Sequence, residues 1–145
     1  ILKYAWGLCL DKDVNTVMMV DEAHVLLSSH NELGAEFLAQ IQRRSRKYNT
    51  GTIIITQQPT DFAAPNIITH GKAIFDNASY YLVMGLRKQA VDDLSKLIDL
   101  NDNEKEAIKY YNQGEALFIC GNKRMKIQVV ITQEELDSFG SGGGY

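Results

Sequence analysis

Apolar positions along this chain fall into two kinds of run, and their alternation predicts the fold. "TVMMV" (16–20) and "TIIIT" (52–56) are continuous apolar or β-branched stretches too short for helices, which predicts strands covered on both faces. "YYLVMG" (80–85) predicts a third strand of the same kind. Helical spacing predicts the segments between them. Residues 1–10 read as a helix ended by Asp11, Lys12 and Asp13, and after "SSHNELG" residues 35–48 bring Phe37, Leu38, Ile41 and Tyr48 close to one face. Pro59 and Pro65 bracket a loop, after which Ile67, Ile68, Ile74 and Phe75 mark a helix over 66–77. Two more helices, 87–98 and 103–112, flank "LNDNE", whose Asn and Asp carry cap chemistry. The end of the chain changes character. "EALFIC" (115–120) and "MKIQVVI" (125–131) flank "GNKR", and Met125, Ile127 and Val129 alternate with polar neighbours, which predicts a hairpin at the sheet edge. A short helix over 133–139 follows.

Buried strands alternating with helices imply a three-layer α/β domain with a mostly parallel sheet plus a C-terminal antiparallel hairpin. The length of 145 residues suits a single domain, assigned to 1–139, with "GSGGGY" (140–145) as a flexible glycine-rich tail. Hydrophobic residues at 45% and charged residues at 23% are an ordinary globular balance, and a net charge of −3 gives no global attraction for nucleic acid. Cys9 and Cys120 stand far apart without metal-type spacing and read as small buried thiols. No apolar run approaches the roughly 18 residues that span a bilayer. The opening "ILKYAWGLCL" is not organised like a signal peptide, and reads as the tail of a helix continued from upstream.

In a parallel sheet, ligands sit beyond the carboxyl ends of the strands. Asp21, Glu22, Gln57 and Gln58 all fall there, which directs attention to "VMMVDEAH" (17–24) and "TIIITQQ" (52–58). Magnesium takes oxygen ligands, keeps several waters and is often held by one carboxylate plus substrate phosphates. An acid on a rigid strand tip supplies that carboxylate, directly or through water, while a second acid orients or deprotonates an attacking water. "VMMVDE" therefore matches the Walker B pattern, with Asp21 for the metal and Glu22 for the water. The plainer alternative is a strand that exits through two solvated acids. At the neighbouring tip, the neutral amide of Gln57 suits a sensor that contacts phosphate and water without adding negative charge. His24, with His30 and His70, makes no recognisable zinc set and reads as a packing or surface residue.

Arg43, Arg44, Arg46 and Lys47 crowd the end of the intervening helix. Cations in a last turn favour the helix dipole by about 0.3–1 kcal/mol each, a need that four cations exceed. One of them reaching a neighbouring subunit's γ-phosphate as an arginine finger, or contact with nucleic acid phosphates, are the two functional readings. Position just ahead of the second strand favours the finger, without choosing among Arg43, Arg44 and Arg46.

Together, "VMMVDEAHVLL", "FLAQIQRRSRKYNTGTIIITQQPTDF" and "GEALFICGNKRMKIQVV" resemble the C-terminal RecA-like half of the VirB-four-like (TraC/TraE-type) ATPases of conjugation and type IV secretion, within the HerA/FtsK group of hexameric motors. The resemblance spans about residues 15–131. It implies ATP and Mg2+ as cofactors, Asp21 and Glu22 as the Walker B pair, Gln57 as the sensor, and Arg46 as the trans-acting finger. It further implies a hexamer working with secretion components, with DNA as a candidate partner, in the cytoplasm at the inner-membrane face. One departure stands out: these 145 residues contain no GxxxxGK(S/T) phosphate loop. The family places that loop upstream, so the chain reads as a C-terminal fragment that alone binds ATP poorly and does not turn it over. The competing readings are a non-catalytic interaction module of a secretion apparatus, and a DEAH-box helicase fragment. Against the latter, "TQQP" stands where those helicases carry a short Ser/Ala/Thr motif.

Overall fold

A computed structural model describes residues 2–27 and 32–139; the glycine-rich tail 140–145, and the 28–31 part of "SSHNELG", lie outside the described residues. After a first helix, α1 (Leu2–Leu8), strand β1 (Thr16–Val20) pairs in parallel with β2 (Thr50–Ile54), from Thr16↔Thr50 to Val20↔Ile54. β2 starts two residues earlier than its apolar run suggests. The buried Thr50 hydroxyl donates to the carbonyl oxygens of Cys9 (3.0 Å) and Tyr48 (3.2 Å), which satisfies a polar group that the hydrophobic pattern would leave outside a strand. Backbone pairing runs on past Ile54, because the Ile55 N–H donates to the Val20 carbonyl at 2.9 Å.

Side chains alternate across a strand, and only one face of this sheet is covered. Met18 packs with Trp6, Cys9 and Ile41, while Val20 and Ile54 pack on a second cluster around Leu38 and Phe62. On the opposite face Val17, Met19 and Ile53 are exposed, so the expectation of cover on both faces does not hold among the described residues. Among the described residues, the helical packing on β1 and β2 comes from one side.

Helix α2 (Glu32–Arg44) begins earlier than predicted and tightens into a 3₁₀ turn, Ser45–Tyr48. Asn49 then takes a left-handed conformation (φ 52°), and its side chain donates to the Lys12 carbonyl at 2.9 Å. Asn tolerates that region better than most residues, and the turn feeds the chain directly into β2. The loop predicted between the prolines contains a four-residue helix, α3 (Pro59–Phe62), which Pro59 opens at a position where its missing N–H costs nothing. Helix α4 (Ile68–Asp76) crosses it closely. Phe62, 1% exposed, sits at the centre with Leu27, Leu38, Ile67 and Ile74 and meets Phe75 edge-on at 5.4 Å.

That crossing depends on Gly71. A Cβ there would lie 2.1 Å from the Phe62 carbonyl oxygen and 2.9 Å from its carbon, backbone atoms that cannot swing aside. Gly71→Ala is expected to destabilise the chain by about 1–3 kcal/mol, the cost of overpacking, against the modest helix-propensity gain of Ala. Urea unfolding checks this through a lower midpoint at constant slope.

The third apolar run, β3 (Tyr80–Met84), pairs antiparallel with β4 (Glu115–Cys120), which pairs antiparallel with β5 (Lys123–Gln128), in the order β3-β4-β5. The chain is thus an α/β fold with a parallel sheet and an antiparallel hairpin sheet, as the sequence implies. β3 itself joins the hairpin and not the parallel pair. The hairpin is tighter than "GNKR" suggests: Cys120 faces Lys123, leaving two connecting residues with Gly121 at φ +55°. Helices α5 (Lys88–Leu94) and α6 (Asp102–Ile108) cover this sheet's inner face through Val91, Leu94 and Ile108 against Val83, Leu117 and Ile119. Asn101 caps α6 in a reciprocal box with Glu104. Phe75 touches both cores and ties the two sheets together. The buried Asp93 accepts from Lys96 at 2.6 Å and from Gln89 at 3.3 Å; the Lys96 hydrogen bond, outweighing burial, holds its carboxyl below the usual range. A short helix, α7 (Gln133–Phe139), follows the hairpin.

Candidate functional site

The parallel pairing of β1 with β2 brings two polar strand tips side by side. After Val20 the chain turns sharply. The Asp21 carboxylate accepts from the Glu22 N–H at 2.8 Å, and Glu22 takes the left-handed conformation, φ +48°. The Ala23 N–H then donates to the Ile55 carbonyl at 2.9 Å, hooking the turn back onto the end of β2 before the 3₁₀ turn Ala23–Leu27 begins. Ala23 and Leu27 are completely buried, so the hook is anchored. A left-handed residue with a side chain costs about 1–2 kcal/mol relative to its usual region, and such positions normally hold Gly or Asn. Glu22 thus holds a costly backbone conformation at the strand tip, which marks the position as a candidate for function.

Across the tip, the Gln57 side-chain amide donates to Glu22 Oε1 at 2.7 Å. Glu22 Oε2 lies 3.2 Å from His24 Nδ1. The other candidates lie elsewhere. Asp21 is exposed, with one oxygen engaged by the turn. Gln58 is exposed, and its N–H is taken by the Thr56 hydroxyl at 3.1 Å. Arg46 precedes β2, at the amino-terminal end of the sheet, and donates to the Ser79 hydroxyl at 2.8 Å. A five-residue strand is roughly 16 Å long, so Arg46 and Glu22 stand at opposite ends of the same ladder. Arg43 and Arg44 are exposed at the end of α2.

An open groove of about 490 Å³ lies apart from the strand tips, lined by Arg43, Thr69, Lys72, Asp76 and Lys96 among others. It is a basic surface between helices and touches none of Asp21, Glu22 or Gln57. The tips are the stronger candidate because polar groups from two adjacent strands converge there on one carboxylate. Sequence reasoning missed His24 as a member of this group. Its two-residue spacing from Glu22 says nothing of contact; only the left-handed turn brings the ring beside the carboxylate.

A family model described as the TraG P-loop domain matches residues 8–136. The chain belongs to the TraG P-loop domain family. Both strand tips and the whole hairpin lie inside the matched range. Among solved structures, VirB4 of Thermoanaerobacter pseudethanolicus superimposes on this TraG-family chain with a TM-score of 0.86 and 31% identity, over 93% of this chain and 36% of that one. A curated relative, an uncharacterized protein of Bacillus anthracis (pXO2-09), is 22% identical over 139 residues, covering 90% of this chain and 22% of that protein. The TraG-family chain thus spans well under half the length of either relative.

Proposed function

We propose that this chain is the part of a conjugation or type IV secretion ATPase that carries the metal and water side of the ATP site, residues 1–139 forming part of a RecA-like domain. The observation that carries the proposal is the 2.7 Å contact between Glu22 and Gln57 across adjacent parallel strand tips, in a family defined by a P-loop domain. In this reading Glu22 is the base that orients and deprotonates water, and Gln57 senses the γ-phosphate. Contact with nucleotide draws the Gln57 amide away, releasing Glu22 Oε1 toward the water.

The residues fit a magnesium ion. Asp21 offers an exposed carboxylate with one oxygen tied by the turn and the other uncommitted among the described contacts. No cluster of three or more metal-binding side chains exists among the described residues, and Mg2+ bound chiefly by phosphates and water needs none. When bound, the ion neutralises charge on the transferring phosphate. Asp21 would hold it directly or through water.

Arg46 cannot serve the Glu22 of its own chain from the far end of the ladder, which supports a role in trans in a hexamer. This reading requires a phosphate loop, a motif that residues 1–145 do not contain. Among the described residues no helix is long and apolar enough to cross a membrane, which suits a peripheral position at the cytoplasmic face. Secretion components are the proposed partners, with DNA as a candidate cargo.

The full-length protein should hydrolyse ATP only with a divalent cation. Chelation with EDTA should reduce turnover to background, and added Mg2+ should restore it. An upstream sequence without GxxxxGK(S/T), together with no measurable turnover, would favour the interaction-module reading instead.

A further inference from the structure

The geometry points to His24 as the positioning residue for the Glu22 carboxylate, holding Oε2 through a protonated Nδ1 while Gln57 holds Oε1. The inference rests on the reading of Glu22 as the base, and its test separates the two.

Glu22 Oε2 and His24 Nδ1 are shut away from solvent, and no other described group offers either a hydrogen bond. They face each other at 3.2 Å without the alignment of a finished hydrogen bond. A buried polar atom left without a partner is costly, so two such atoms in contact are each other's remedy. An ionised carboxylate only accepts, which assigns the proton to Nδ1, whether the ring is neutral or charged. The Glu22 side chain is 44% exposed and that of His24 22%, so Oε2 is the enclosed end of a carboxylate whose Oε1 contact with Gln57 is exposed.

A hydrogen bond on Oε1 and the close His24 contact on Oε2 together constrain the direction of the carboxylate plane. The Gln57 contact is exposed and exchangeable, whereas the His24 contact is enclosed, so His24 supplies the lasting constraint. When Gln57 turns away, the carboxylate keeps its orientation because one oxygen is still held. Without His24, both oxygens would swing about the Glu22 side-chain bonds once Gln57 let go.

The test uses the full-length protein with 15N-labelled histidine. The ring shifts of His24 should report a protonated Nδ1, and Glu22→Ala should abolish that signature. In turnover, His24→Ala should lower kcat by about tenfold, within the roughly hundredfold that misplacing a reacting group can cost, with KM for ATP changed less than about twofold. His24→Asn, whose side-chain amide can occupy the Nδ1 position, should recover most of the loss, whereas His24→Gln should not. A neutral ring protonated only at Nε2, or equal kcat for His24→Ala and the wild type, overturns the inference. Normal turnover in Glu22→Gln alongside a Glu22-dependent Nδ1 proton would instead overturn the base assignment and leave the contact standing.

Discussion

Glu22→Gln in the full-length protein should lower kcat by about 10²–10⁴, the usual contribution of a positioned general base, while nucleotide still binds. The substitution keeps the shape of the side chain and one acceptor oxygen. The amide oxygen can still accept from the Gln57 side chain at the 2.7 Å contact, and its NH2 can donate to His24 Nδ1 once the neutral ring carries its proton on Nε2, so the turn and the strand tips should persist. What it removes is the capacity to take a proton from water. Binding is measured with a fluorescent ATP analogue and turnover by phosphate release. Retained binding with lost turnover places Glu22 in the chemical step; loss of both would place it in folding or binding.

Arg46→Ala should be equally severe, with a loss of about 10³ or more if the side chain stabilises transferring phosphate from a neighbouring subunit. The arginine stands at the opposite end of the β1–β2 ladder from Glu22, so a fully defective variant is informative only when mixed. Subunits carrying Glu22→Gln still supply Arg46, and subunits carrying Arg46→Ala still supply Glu22. If the proposed hexamer forms, mixed assemblies of two inactive proteins should therefore regain turnover, because some interfaces combine both intact residues. A mixture as inactive as its parents would mean that the two residues are not supplied by different subunits, whereas an Arg46→Ala variant that turns over normally by itself would pass the finger role to Arg43 or Arg44. The Ser79 hydrogen bond to Arg46 would then be a purely structural latch.

The candidate site was legible in the sequence where it depends on local pattern. An apolar run too short for a helix, followed at once by two acids, defines a strand tip. The second run with its two glutamines defines the neighbouring tip. Parallel pairing in register then sets the two tips side by side, within reach of the Glu22–Gln57 contact. Features set by distant partners were less legible. An apolar run does not say which edge it will join, so β3 was indistinguishable from a third parallel strand until β4 claimed it. The early start of β2 depends on the Thr50 hydroxyl finding the carbonyl of Cys9, forty-one positions away. Cover on both faces of the parallel strands follows from composition only if helices exist to supply it, and the described residues place them on one side. His24 was hidden for a different reason. Its contact depends on a left-handed Glu22, a conformation that residue type argues against.

The most direct measurement of the central claim is a structure of the full-length Glu22→Gln protein with ATP and Mg2+. The account predicts the γ-phosphate beyond the tips of β1 and β2, the ion within direct or one-water reach of Asp21, and a water between the phosphate and residue 22. Gln57 should have turned from residue 22 toward the phosphate. Nucleotide bound away from these tips, with Asp21 and Gln57 touching neither ion nor phosphate, would contradict it.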